Sequence, residues 1–175
     1  MDFASLTLQR QSCRNFDPNR PVEEDKLLRV LEAGRMSPSA CNSQPYHITV
    51  CTGETAQKVA HATMGMGMNK FADKAPVMLV ITQEEYNATA AIGAKVKRND
   101  YRSIDIGILA ATLTYQAADE GLATCILGWF EDEKIREICG LNQPVRLVIP
   151  LGYAAEGDPL RTKKRKPLSE MTTRL

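Results

Sequence analysis

Histidine is scarce in this chain of 175 residues, where His47 and His61 are the only two. A multi-histidine metal centre is thereby excluded, and a Cys-His relay would have to be assembled from very little. The five cysteines, Cys13, Cys41, Cys51, Cys125 and Cys139, are odd in number, widely spaced and without a Cys-x-x-Cys pair. They suggest neither a disulfide framework nor a zinc site, so no metal is expected. No apolar run approaches the ~20 residues that span a bilayer, and the N-terminus lacks the basic, apolar and small-residue order of a signal peptide. The expectation is a cytoplasmic protein with no membrane partner. Net charge is also scarce: 22 Lys and Arg against 21 Asp and Glu leave +1, which argues against a surface built as a whole for nucleic acid. Neither a Gly-x-Gly-x-x-Gly after a strand nor a Gly-x-x-x-x-Gly-Lys-Ser/Thr is found, and the dinucleotide-fold and P-loop readings fail at the motif.

What is present is ordinary for a folded protein: 43% hydrophobic and 25% charged residues, enough for one domain with a substantial core or for a subunit whose core a partner completes. The patterning predicts a short helix from Phe3 to Gln11, then a helix after Pro21 with Glu23, Glu24 and Asp25 at its start and Leu27, Leu28, Leu31 and Ala33 on one stripe before Gly34. A loop of turn formers and small residues, Arg35 to Pro45, leads to a strand at Tyr46 to Cys51. Ala56 to Met64 reads as a helix, Met64 to Asn69 as a glycine-interrupted flexible stretch, and Pro76 to Thr82 as a buried strand. After a polar stretch around Lys95 to Asp100 comes the longest periodic element, Ile104 to Glu120. Its pattern puts Ile104, Ile108, Ala111, Tyr115 and Ala118 on one face of a largely buried helix, with Leu109, Leu113 and Ala117 beside it. Gly121 stops it; a strand at Leu122 to Leu127, a helix at Asp132 to Cys139 and a strand at Val145 to Tyr153 follow. The order of elements is alternating α/β or α+β in one layer-packed domain.

The two chain ends carry matching chemistry. Arg10-Gln11-Ser12-Cys13-Arg14 stands near the start and Lys163-Lys164-Arg165-Lys166-Pro167-Leu168 near the finish. Arginine's planar fork, a serine hydroxyl and lysine's point charge suit a phosphate. A solvated charge run is the competing reading of either cluster alone.

Five segments in order and spacing carry a resemblance: Arg10 to Phe16, Ser37 to Tyr46, Asp105-Ile106-Gly107 opening a long helix, Gly121 to Gly128, and Lys163 to Leu168. Together they resemble the flavin-dependent nitroreductase family over nearly the whole chain. The resemblance implies an α+β fold with a central, mainly antiparallel sheet flanked by helices and a long buried helix at a dimer interface. It implies one domain over 1–175 whose C-terminal tail, about 154–175, reaches the partner subunit of a homodimer, with FMN at the interface. Arg10, Ser12, Arg14, Lys163 and Arg165 would hold the flavin phosphate, and Gln11 stands where the family often has a second basic residue. The loop of Pro38, Ser39, Ala40 and Asn42 would lie against the isoalloxazine ring, with Cys41 where the family often has glycine. Asn69 would meet the polar edge of the flavin, and the turn of Ile126, Leu127 and Gly128 would aim a backbone N–H at N5.

The implied activity is a two-step one. NADH or NADPH delivers hydride and leaves, and a nitroaromatic, quinone or similar small molecule takes the two electrons from the same face. The cofactor carries the chemistry, so no catalytic acid or base is expected among the side chains. Met64, Met66, Met68, Phe71, Tyr86 and Tyr101 are candidates for an apolar pocket lid, with core or dimer packing as the plainer reading; Trp129 could flank the flavin or fill the core. Two alternatives from other classes remain at this point: an FMN-binding sensor or carrier without turnover, and a nucleic-acid contact made by Arg161 to Lys166.

Overall fold

The computed structural model describes residues 1–175. Four strands, β1 (Tyr46–Thr52), β2 (Val77–Gln83), β3 (Ala123–Thr124) and β4 (Val145–Gly152), form one sheet in the order β1-β2-β4-β3. Every pairing in it is antiparallel. Seven helices surround it: α1 (Phe3–Gln9), α2 (Glu24–Arg35), α3 (Gly53–Ala62), α4 (Ala88–Lys97), α5 (Arg102–Asp119), α6 (Asp132–Cys139) and the short α7 (Leu168–Met171). The arrangement is α+β, as expected.

Why the β2 run is continuously apolar follows from the sheet's two covered faces. Met78 and Val80 point to a core shared with α3, α6 and Phe16, while Val77, Leu79 and Ile81 point to a second core shared with α2 and α5. Successive strand residues face opposite sides, so a strand buried on both has no polar alternation. β4 divides in the same way, with Val148 on the first side and Ile149 and Leu151 on the second.

Three details differ from expectation. Between β2 and the polar stretch around Lys95 to Asp100, where no element is expected, stands α4, an alanine-rich helix that runs into that stretch and is capped by Asn87, whose side chain accepts from the Ala90 N–H at 2.9 Å. Only Ala90 of this helix is buried, so it carries no amphipathic period to read and rests on helix propensity and its cap. The strand expected at Leu122 to Leu127 is regular only at Ala123–Thr124. Beyond it the ladder meets Pro150, which accepts from the Cys125 N–H at 3.3 Å but has no N–H to return. A single bridge, Leu127 with Val148, resumes the pairing. Finally, the buried face of α5 is Ile106, Leu109, Ala110, Leu113 and Ala117, whereas Ile104 is 52% exposed and Ile108, Ala111, Tyr115 and Ala118 are only partly covered by their own chain.

Gly152 closes β4 against a rigid neighbour: a Cβ there would stand 2.6 Å from Cδ of the Pro76 ring and 3.4 Å from Phe16. Gly152→Ala is expected to destabilise the fold by about 1–3 kcal/mol through overpacking, measured as a fall in the urea midpoint with unchanged slope.

Candidate functional site

The N-terminal motif leaves α1 at Arg10 in an extended conformation and is tied to the end of β3, where the Cys13 N–H donates to Thr124 O at 2.8 Å. Cys13 and Phe16 are each 1% exposed and sit in the core. Because extended residues alternate sides, burial of Cys13 turns Ser12 and Arg14 outward. The chain returns to this place after β4: Ala154 bridges Phe16, and the Ala155 N–H donates to Asn15 O at 2.9 Å.

From Pro159 the returning strap crosses the motif itself. Arg161 donates from its guanidinium to Ser12 O at 2.7 Å, and the Lys163 ammonium donates to Arg10 O at 2.6 Å. The Gln11 carboxamide donates to Pro159 O at 3.1 Å and accepts from the Arg161 N–H at 3.0 Å. Between the two segments lies a cavity of about 330 Å³ lined only by residues 10, 11, 12, 14 and 161–165. Six of these nine are Arg or Lys and none is acidic; the nearest ion pair is Arg161 with Asp158 at 3.5 Å. The Lys163 ammonium is held below its usual lysine range, first by burial and then by Arg10, Arg165 and Arg161. Crowded cations without carboxylates make a site for an anion that donates nothing and accepts many hydrogen bonds.

A second group forms around the loop after α2. Asp105, the buried carboxylate of α5, accepts from the Ala40 N–H at 3.0 Å. Ser39 Oγ accepts from the Gln44 N–H, Asn87 donates from its side chain to Cys41 O, and the Asn87 N–H donates to Ser43 Oγ. Cys41 and Asn42 both have φ of 51° and Gln44 has 47°, the left-handed region where a Cβ is costly. The exposed Cys41 adopts that left-handed backbone with a side chain, and so under strain. The Asn42 side chain accepts from Gln44 Nε2 at 3.1 Å.

The third group is a clasp between residues 63–69 and the turn after β3. Asn69 donates from its side-chain amide to Thr63 O and to Trp129 O, each at 3.1 Å, and the Trp129 ring N–H donates to Gly65 O at 3.0 Å. Asn69 thus commits its amide nitrogen to the protein and keeps only its carbonyl oxygen free. In the turn, the Leu127 N–H is committed to Val148 O at 2.8 Å, whereas Ile126 and Gly128 have no hydrogen-bond partner for theirs within the chain. Met66 (89% exposed), Met68 (51%) and Trp129 (50%) leave this clasp largely open to solvent.

Within one chain, therefore, Arg10, Gln11, Ser12, Arg14, Lys163 and Arg165 are brought to a single cavity. Pro38, Ser39, Ala40 and Asn42 instead lie on a loop bonded to α5 and to Asn87, not to that cavity. Two residues that shape the site have no place among the cofactor contacts expected from sequence. Asp105 was seen only as a helix opener; its signal was a carboxylate on the buried side of an apolar helix. Arg161 is one of five basic residues in six positions, a run the sequence offers as a nucleic-acid contact.

A model of the Nitroreductase family matches residues 7–67 and 54–153. An oxygen-insensitive NADPH nitroreductase of Helicobacter pylori (strain J99 / ATCC 700824) is 25% identical over 192 residues, covering 92% of this chain and 91% of its own. Among solved structures, a nitroreductase family protein of Streptococcus pneumoniae TIGR4 superposes with a TM-score of 0.84 at 20% identity, over 99% of this chain and 100% of its own. An FMN- and NADPH-dependent nitroreductase from sphigopyxis sp. strain HMH gives 0.80 at 21%, over 99% and 98%. At these identities the structural likeness speaks for the fold alone.

Cys41→Gly is expected to stabilise the protein by up to about 1 kcal/mol, because relief of left-handed strain exceeds the entropy glycine adds to the unfolded chain. A rise in the chemical-denaturation midpoint checks it.

Proposed function

The chain belongs to the nitroreductase family, and on that premise we propose that it is an FMN-dependent oxidoreductase. It takes two electrons as hydride from NADH or NADPH and passes them to a small acceptor such as a nitroaromatic or a quinone, one substrate leaving before the other enters. The observation that carries this reading is the acid-free cluster of six cations around the 330 Å³ cavity. A phosphate monoester with a charge of about −1.5 to −2 and three acceptor oxygens fits that donor set.

Arg10, Ser12, Arg14, Lys163 and Arg165 would hold the phosphate. Arg10 also lies with its guanidinium carbon 5.9 Å from the centre of the Tyr115 ring of α5. The Pro38–Asn42 loop, fixed by Asp105, would bear on the ring, and the free Asn69 carbonyl would accept from its polar edge. The bound flavin would supply the hydride-accepting and hydride-donating chemistry. The uncommitted Gly128 N–H offers the turn a backbone donor that asks nothing of its side chain, and nothing stands within 4 Å of a Cβ there. With the acceptor side formed by backbone amides, turnover would need no side-chain acid or base.

The separation of the ring loop from the phosphate cavity within one chain supports a homodimer in which two subunits complete each site. The half-covered face of α5, with Ile104, Ile108, Ala111 and Tyr115, supplies an apolar surface for the partner. The tail from about 154 would begin on its own N-terminal motif, and residues 166–175, with Leu168 and Met171 exposed, would continue to the partner subunit.

Arg14→Ala and Arg165→Ala should each weaken FMN binding about 10- to 100-fold, the worth of one or two hydrogen bonds to a charged group, with little loss of thermal stability. Flavin fluorescence titration reads this, and unchanged affinity in both variants would remove the phosphate assignment. Sedimentation at micromolar protein should give a dimer; a flavin-loaded monomer would contradict the shared site.

A further inference from the structure

Gln11 stands inside the phosphate motif, yet its side chain is turned to the protein. Both ends of the carboxamide are used: Nε2 donates to Pro159 O and Oε1 accepts from the Arg161 N–H. A carboxamide placed this way imitates a strand neighbour, offering one donor and one acceptor to alternate backbone groups of the strap. Segment 156–167 contains no regular element, and the other bonds that fasten its crossing are Arg161 to Ser12 O and Lys163 to Arg10 O, both made by cations that themselves repel each other. Gln11 is the one neutral fastener in the set. An arginine or lysine at this position has donors but no acceptor, and would leave the Arg161 N–H without its partner.

We propose that Gln11 is a positioning residue that zips residues 159–161 onto the N-terminal motif and thereby delivers Arg161, Lys163 and Arg165 to the anion. The inference rests on the FMN reading for its ligand but not for the zipper, which is a property of the chain by itself. Without the carboxamide the strap is docked in a smaller fraction of molecules, and ligand affinity falls by that fraction. One charge at position 11 is thereby exchanged for the docking of a segment that brings four of the six cations around the cavity.

The experiment compares wild type, Gln11→Ala and Gln11→Arg by two readouts. The first is the rate at which trypsin cuts the Arg161–Thr162 bond in the flavin-free protein, followed by mass spectrometry. The second is FMN affinity from fluorescence quenching. Both variants are expected to be cut about 5- to 20-fold faster, as loss of roughly one to two net hydrogen bonds implies. Both should bind FMN about tenfold more weakly, the added charge of Gln11→Arg notwithstanding, while unfolding at nearly the wild-type temperature. Cleavage at the wild-type rate in Gln11→Ala overturns the zipper. Weaker binding with unchanged cleavage would also overturn the proposal and make Gln11 a direct ligand contact, as would Gln11→Arg binding FMN as tightly as wild type. Wild-type protein that binds no FMN would refute the function proposed above, and the tryptic comparison would still decide the role of Gln11.

Discussion

Six cationic side chains are gathered where the two ends of the chain cross, and no carboxylate lines the cavity between them. Left to themselves such charges would push the strap away from the motif. Apart from the Arg161–Asp158 pair at 3.5 Å, the structure opposes that repulsion with bonds that do not neutralise it: main-chain oxygens of Arg10 and Ser12 accept from Lys163 and Arg161, and the Gln11 carboxamide grips the strap backbone. The positive charge therefore remains available. Everything upstream serves this crossing. The sheet places Thr124 to hold Cys13, burial of Cys13 and Phe16 sets the alternation that turns Ser12 and Arg14 outward, and β4 ends where Ala154 can meet Phe16.

The same economy governs the loop after α2. Its backbone enters the left-handed region at three non-glycine residues, Cys41, Asn42 and Gln44, and it keeps that shape through bonds to Asp105, Asn87 and Ser39 rather than through packing. A loop so fastened presents main-chain atoms at fixed positions, which is what contact with a planar ring requires. Asp105 has a position-setting role: a carboxylate 3% exposed within an apolar helix is costly, and its bond to the Ala40 N–H is the visible return.

Much of this was legible in the residues. The continuous apolar run at Pro76 to Thr82 announced a strand covered on both faces, and the two basic clusters do line one cavity even though 149 positions separate Arg14 from Lys163. The chain carried no such signal for α4, whose alanines have propensity without a face, nor for the interruption at Cys125, which depends on which residue lies opposite Pro150. The register of a sheet decides that, and register is a tertiary property. The periodicity of α5 was correct as helix and ambiguous as to side, because Ile104 and Leu109 are both apolar and only tertiary packing separates the covered face from the half-covered one. The commitment of the Leu127 N–H to Val148, which leaves the amides on either side free, likewise belongs to pairing between distant strands.

The central claim is that the cation-lined cavity anchors a flavin that this chain reduces. Its most direct test is the visible spectrum of the FMN-loaded protein, kept anaerobic, before and after addition of NADH or NADPH. Bleaching of the yellow absorbance within the mixing time of at least one donor, and its return when a quinone or nitroaromatic follows, is the predicted result. A flavin that binds and stays oxidised with both donors would contradict the account and leave a binding protein in its place.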